Sequence, residues 1–159
     1  MSSVLEACRD LPLARFAPGE VLLAEGDRSG RLFILAEGAV EVLKGEFQVN
    51  YVTEPGALFG EMSVLLDMPH MATVRAATPC AAYVSDDAAG FLHEHRDIAY
   101  GLARMLAQRL HGVTTYLADL KRQFEGEQSH LGMVDTILEC LTHEQRRDVQ
   151  LGSDRDPGY

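Results

Sequence analysis

The residues best equipped for chemistry lie close together between Leu58 and Val74. Glu61 follows Phe59-Gly60 directly, Met62 and Ser63 come next, and Pro69-His70-Met71-Ala72 then leads into Thr73-Val74. Gly60 permits close backbone approach. Phe59 to Ser63 can open a short helix whose free N–H groups point at an anion, with Glu61 beside the turn. Glu61 has a plainer alternative role, a first-turn carboxylate that stabilises the helix dipole. Together these residues describe a compact pocket for an anionic ligand, and the chain re-enters sheet after Pro69.

Other chemistries find little support. His93-Glu94-His95 has the His-x-His form of a cupin-type metal pair, but it is followed by Arg96-Asp97-Ile98-Ala99 in a helical segment instead of lying on a barrel strand. No Ser/His/Asp arrangement, Walker-type loop or acid–base carboxylate spacing can be assigned, so no enzymatic activity is expected. Cys8, Cys80 and Cys140 are odd in number and widely spaced, as expected of reduced, inert thiols in a cytoplasmic protein.

The elements that position this pocket are short. Val21-Leu22-Leu23, Leu32-Phe33-Ile34-Leu35, Val40 to Leu43 and Val49 to Val52 are β-rich runs, with two further candidates at Ala72 to Ala76 and Cys80 to Val84. Pro18-Gly19, Gly26-Asp27, Gly38, Gly45 and Pro55-Gly56 mark turns between them. The expected fold is mainly β with helices: an antiparallel β jelly roll (double-stranded β-helix) followed by a long C-terminal helix. Met1 to Leu13 reads as a short amphipathic lead-in stopped by Pro12. Ser85-Asp86-Asp87 supplies a helix N-cap with an acidic first turn.

Leu106, Leu110, Val113, Leu117, Leu120 and Phe124 alternate steps of four and three, a heptad seam. The register continues through Leu131, Val134, Leu138 and Leu141, although Gly126 and Gly132 weaken the helix. A helix over 98–124 would reach about 40 Å, further than a small β domain covers. The expected partner for the surplus seam is a second copy, giving a parallel homodimeric coiled coil. The expected organisation is 1–97 as the β roll with short flanking helices, 98–145 as the helix and coiled coil, and 146–159 as a polar, disordered tail.

Charge narrows the choice of partners. The 159 residues carry a formal net charge of −10, with Arg146-Arg147 the densest basic spot. Phosphate backbones and anionic membranes are therefore repelled, and direct DNA binding is not expected. No stretch approaches the roughly 18 apolar residues of a membrane span, and the N-terminus lacks the pattern of a secretory signal.

In order along the chain, Phe16-Ala17-Pro18-Gly19-Glu20, Glu25-Gly26-Asp27, Phe33-Ile34 through Gly38-Ala39-Val40-Glu41-Val42, Phe59-Gly60-Glu61 and Pro69 to Val74 resemble the cyclic-nucleotide-binding domain family. That family spans catabolite-activator-type regulators, kinase regulatory subunits and nucleotide-gated channels. The resemblance implies a ligand such as cAMP or cGMP, no further cofactor, and output to an unidentified protein partner. It implies that Glu61 bonds the ribose 2′-hydroxyl and that amides of the short helix hold the cyclic phosphate. It also implies that the long helix lids the base, with Thr114 or Thr115 offering a hydroxyl to the purine. A transcription regulator of this family adds a helix-turn-helix domain, for which the fewer than forty residues after Phe124 leave no expected room.

One position departs from the family pattern. Where the family has Pro-Arg and a small residue, this chain has Pro69-His70-Met71. A neutral imidazole lacks the permanent charge and planar fork of guanidinium, so a contact worth roughly 1.5–3 kcal/mol is at stake. Two readings stay open: a pocket that binds no nucleotide and leaves a dimerisation or docking module, or a pocket in which a protonated His70 partly replaces the arginine. Arg75 is a poor substitute, because an odd step along a strand points it to the opposite face.

Overall fold

The computed structural model describes residues 3–124 together with 134, 136–138 and 141. The chain divides after Gly101 into two units, each described by itself.

In the first unit, β-branched and aromatic runs form two four-stranded antiparallel sheets. The strands are β1 (Leu13–Phe16), β2 (Val21–Leu23), β3 (Leu32–Glu37), β4 (Val40–Lys44), β5 (Phe47–Val52), β6 (Leu58–Phe59), β7 (Thr73–Ala76) and β8 (Cys80–Ser85). One sheet has the order β1-β8-β3-β6 and the other β2-β7-β4-β5. Strands consecutive in sequence mostly fall in different sheets, the jelly-roll pattern that the regular turn punctuation anticipates. Two strands were not anticipated: β1, which begins at the last residue of the stretch read as a lead-in, and the two-residue β6.

The core lies between the sheets. Leu22 and Leu23 of β2, Phe33 and Leu35 of β3, Val40 of β4, Phe59 of β6, Val74 and Ala76 of β7 and Cys80 and Ala82 of β8 form one buried apolar cluster. Leu32 and Ile34, which alternate with Phe33 and Leu35, are also fully buried, so β3 is covered on both faces. Burial raises the Cys8 thiol to about 11 and also raises that of Cys80, so both stay protonated and inert, as the spacing suggests.

Four helices complete the described fold: α1 (Ser3–Ala7), α2 (Glu61–Leu66), α3 (Ala88–Glu94) and α4 (Arg96–Gln123). The Asp87 side chain caps α3 by accepting from the Gly90 amide at 3.0 Å, as Ser85-Asp86-Asp87 foreshadows. Of α4, 28 residues long, all but the first turns belong to the second unit. Leu110, Val113 and Phe124 of its heptad seam are exposed in the single chain. The expected weakening at Gly126 and the polar tail fall outside the described residues.

The β3–β4 turn depends on glycine. Gly38 has φ 88°, and a Cβ there would overlap the Pro79 carbonyl and approach Cys80 Cβ to 2.6 Å. Left-handed strain and overpacking together give Gly38→Ala an expected cost of roughly 2–4 kcal/mol. Urea unfolding monitored by circular dichroism should show the midpoint falling with an unchanged slope.

Candidate functional site

Gly60 and the segment after it build one wall of the site. Gly60 is the N-cap of α2 with φ 91° and ψ −2°, and a Cβ there would lie 2.5 Å from the Arg31 carbonyl. The absent side chain therefore lets the loop before β3 close over the start of α2. Glu61 is 6% exposed and Ser63 is also buried, while Met62 on the same helix is exposed. α2 ends at Asp67, a non-glycine residue at φ 49° that Asp tolerates, and the Arg28 guanidinium bonds its carbonyl at 3.2 Å.

His70 occupies the centre. The residue is 4% exposed, and its ring is bonded at both nitrogens: Nε2 lies 2.6 Å from Ser29 Oγ and Nδ1 lies 2.9 Å from Ser63 Oγ. The serines fix the direction of these bonds. Ser63 donates its hydroxyl to the Gly60 carbonyl at 3.0 Å, so Nδ1–H donates to Ser63. Ser29 already accepts from the Arg31 amide at 3.2 Å, leaving its hydroxyl to donate to Nε2. A neutral Nδ1–H tautomer thus satisfies every donor and acceptor. Burial lowers the His70 pKa from the ordinary 6.5, opposed by the nearby Asp27 carboxylate.

The His70 backbone is engaged as well. Gly26 N–H donates to the His70 carbonyl at 2.8 Å, and His70 N–H donates to the Asp27 carbonyl at 2.9 Å. On one side, the Glu25 amide donates to Thr73 Oγ1 at 3.0 Å. Lys44 Nζ donates to the Met71 carbonyl at 2.6 Å and pairs with Glu25 Oε1 at 2.8 Å. Glu25 Oε2 accepts from the Gly45 amide at 2.9 Å, and Lys44 with Gly45 holds the Glu25 carboxyl below its usual range. The loop at 25–29 and the hairpin end at 44–45 therefore grip the segment 67–73 from two directions.

Phe59, Gly60, Glu61, Met62, Ser63, His70, Met71 and Ala72, the site residues read from the sequence, all lie in the first unit, where the Ser63 hydroxyl meets the His70 ring and Met62 is exposed. Thr114 lies in the second unit, where its hydroxyl donates to the Leu110 carbonyl at 2.8 Å. Arg75 is engaged elsewhere, 2.7 Å from Glu41. Ser29, Arg28 and Lys44 were missed; their only signal was proximity in sequence to Glu25-Gly26-Asp27 and Gly45. Among the described residues no cluster of His, Cys, Asp and Glu is fit to hold a metal.

Because the folded His70 titrates below its unfolded value, the unfolded chain binds more protons near pH 6. Stability from this site is therefore complete above about pH 6.5 and falls as pH drops toward the lowered folded pKa. Thermal unfolding of the native protein between pH 5.5 and 7.5 should show Tm rising with pH. His70→Gln should flatten part of that slope.

Comparison with known proteins agrees with this fold. Residues 13–89 match the family described as cyclic nucleotide-binding domain. The chain is 35% identical over 85 residues to a cAMP-dependent protein kinase regulatory subunit of Yarrowia lipolytica, covering 51% of this chain and 22% of that protein. It is 27% identical over 125 residues to a CRP-like cAMP-activated global transcriptional regulator of Mycobacterium tuberculosis, covering 75% of this chain and 56% of that protein. The fold is similar to the catabolite activator protein of Thermus thermophilus, with TM-score 0.64 at 23% identity, covering 76% of this chain and 60% of that one. The chain thus spans less than two thirds of each of these proteins. With the jelly roll, the short helix after Phe59-Gly60 and the ordered match in place, residues 13–89 are similar to the cyclic nucleotide-binding domain family.

Proposed function

We propose that this chain is a non-enzymatic regulatory module that binds a cyclic nucleotide, cAMP or cGMP, and signals through α4 to a protein partner as a homodimer. The observation that carries this reading is Glu61, a carboxylate buried to 6% exposure at the start of α2, beside a glycine whose missing side chain admits the Arg31 carbonyl. In this reading Glu61 anchors the ribose, and the segment 60–63 with Met71 and Ala72 surrounds the phosphate.

His70 then holds the pocket in shape instead of supplying charge. Without the guanidinium fork, affinity is expected to be roughly ten- to hundredfold weaker than in an arginine-bearing pocket. The same engaged imidazole favours the second reading, a fold that binds no nucleotide and serves as a dimerisation or docking surface. Both readings share the helix: α4 spans about 42 Å at 1.5 Å per residue, and the exposed Leu110, Val113 and Phe124 of its seam suit a second copy.

Calorimetric titration with cAMP and cGMP tests the pocket. Saturable binding is expected, lost in Glu61→Ala, tightened about tenfold or more in His70→Arg, and flat between pH 6 and 8. Affinity that weakens as pH rises would put the charge on His70. No heat in the native protein, with binding restored by His70→Arg, would establish the second reading.

Sedimentation at micromolar concentration tests the helix. A dimer is expected, converted to monomer by Leu110→Lys combined with Val113→Lys. A native monomer would remove α4 as the interface.

A further inference from the structure

Each sheet has two edge strands, and three of the four are poor templates for another chain. β1 has four residues and carries Arg15, bonded to Glu37 at 3.0 Å. β6 has two residues, and β2 has three with an irregular register against β7. Short, charged or irregular edges are how proteins avoid unwanted strand pairing.

β5 is different. It is a six-residue edge strand, Phe47-Gln48-Val49-Asn50-Tyr51-Val52, with no charge, proline or glycine. Phe47 is 79% exposed, Val49 60% and Tyr51 50%. Every side chain from Phe47 to Tyr51 is in solvent, so both faces of this part of the strand are open. The pairing with β4 skips a residue at Val49, and Asn50 Oδ1 accepts from the Tyr51 amide at 2.9 Å. These two features cover only part of the edge.

Charge selects the occupant. Glu46 precedes the strand and Glu54 follows it, and neither carboxylate has a partner among the described residues. The nearest cation on the hairpin, Lys44, is already neutralised by Glu25. A second copy is disfavoured: antiparallel β5 pairing would bring Glu46 of one chain toward Glu54 of the other at both ends, and parallel pairing would align identical glutamates. We propose that β5 is a docking edge for an extended segment of a partner protein, uncharged and β-branched or aromatic in its middle, with lysine or arginine at both ends. The partner strand adds to β4–β5 by main-chain hydrogen bonds, and its basic ends meet Glu46 and Glu54.

The test uses the full chain, labelled with nitrogen-15, and the synthetic peptide Lys-Thr-Val-Tyr-Val-Thr-Lys. Saturable binding is expected, with amide shifts and hydrogen-exchange protection confined to residues 46–54. Glu46→Lys combined with Glu54→Lys should weaken it about 3- to 10-fold, because the ion pairs these carboxylates would form with the peptide's lysines are solvent-exposed. The same peptide with N-methyl groups along its pairing edge should lose at least about tenfold, since it keeps the side chains and lacks the donors. Absence of saturable binding, perturbation centred elsewhere, or equal affinity for Glu-Thr-Val-Tyr-Val-Thr-Glu would overturn the proposal. So would concentration-dependent protection of β5 without peptide, which would assign the edge to a second copy.

Discussion

Two stretches of chain without regular structure of their own, the loop at 25–29 and the segment 67–72, hold each other through His70. Its amide and carbonyl bond Asp27 and Gly26, and its two ring nitrogens bond Ser29 and Ser63. Of these four hydrogen bonds, each worth about 1 kcal/mol net but costlier to leave unmade, the two at the ring are what allow a polar side chain to be buried here. The bond to Ser63 also ties this grip to α2. A change at His70 therefore acts on its surroundings through shape as well as through charge.

This is why a residue in the place of the family's arginine need not act as a weaker arginine. Guanidinium stays charged at any physiological pH and needs an anion or water to face. Imidazole in a dry site loses its proton and becomes an uncharged connector, donating at one nitrogen and accepting at the other. The local electrostatics change accordingly: the nearby Asp27 carboxylate faces no fixed cation at position 70.

The elements legible in the sequence were those whose side chains repeat. Leu32 to Leu35 and Val40 to Leu43 are runs long enough to read as strands, and the four-three spacing from Leu106 to Phe124 matches a helix observed at Arg96–Gln123. β1 was hidden behind Pro12 and β6, at two residues, has no period to detect. In the site, Gly60, Glu61 and His70 stood out by type and order. Their supports did not: Ser29 lies 41 residues from His70 and Lys44 lies 27 from Met71, and no local pattern reports such pairings. Thr114 was read from resemblance alone, and its hydroxyl serves the helix backbone.

The strand that begins the roll, β1, pairs with the one that ends it, β8, in a register that sets Leu13 opposite Tyr83 and Phe16 opposite Cys80. β8 also pairs with β3, so the closing strand is an interior member of its sheet. During synthesis β1 has no mate until some seventy further residues have emerged, and loop closure over that distance must precede the contacts that reward it. Completion of the first sheet is therefore a late, cooperative event. Until it occurs, Ala81 and Ala82, both fully buried in the finished fold, remain open to whatever else the nascent chain meets.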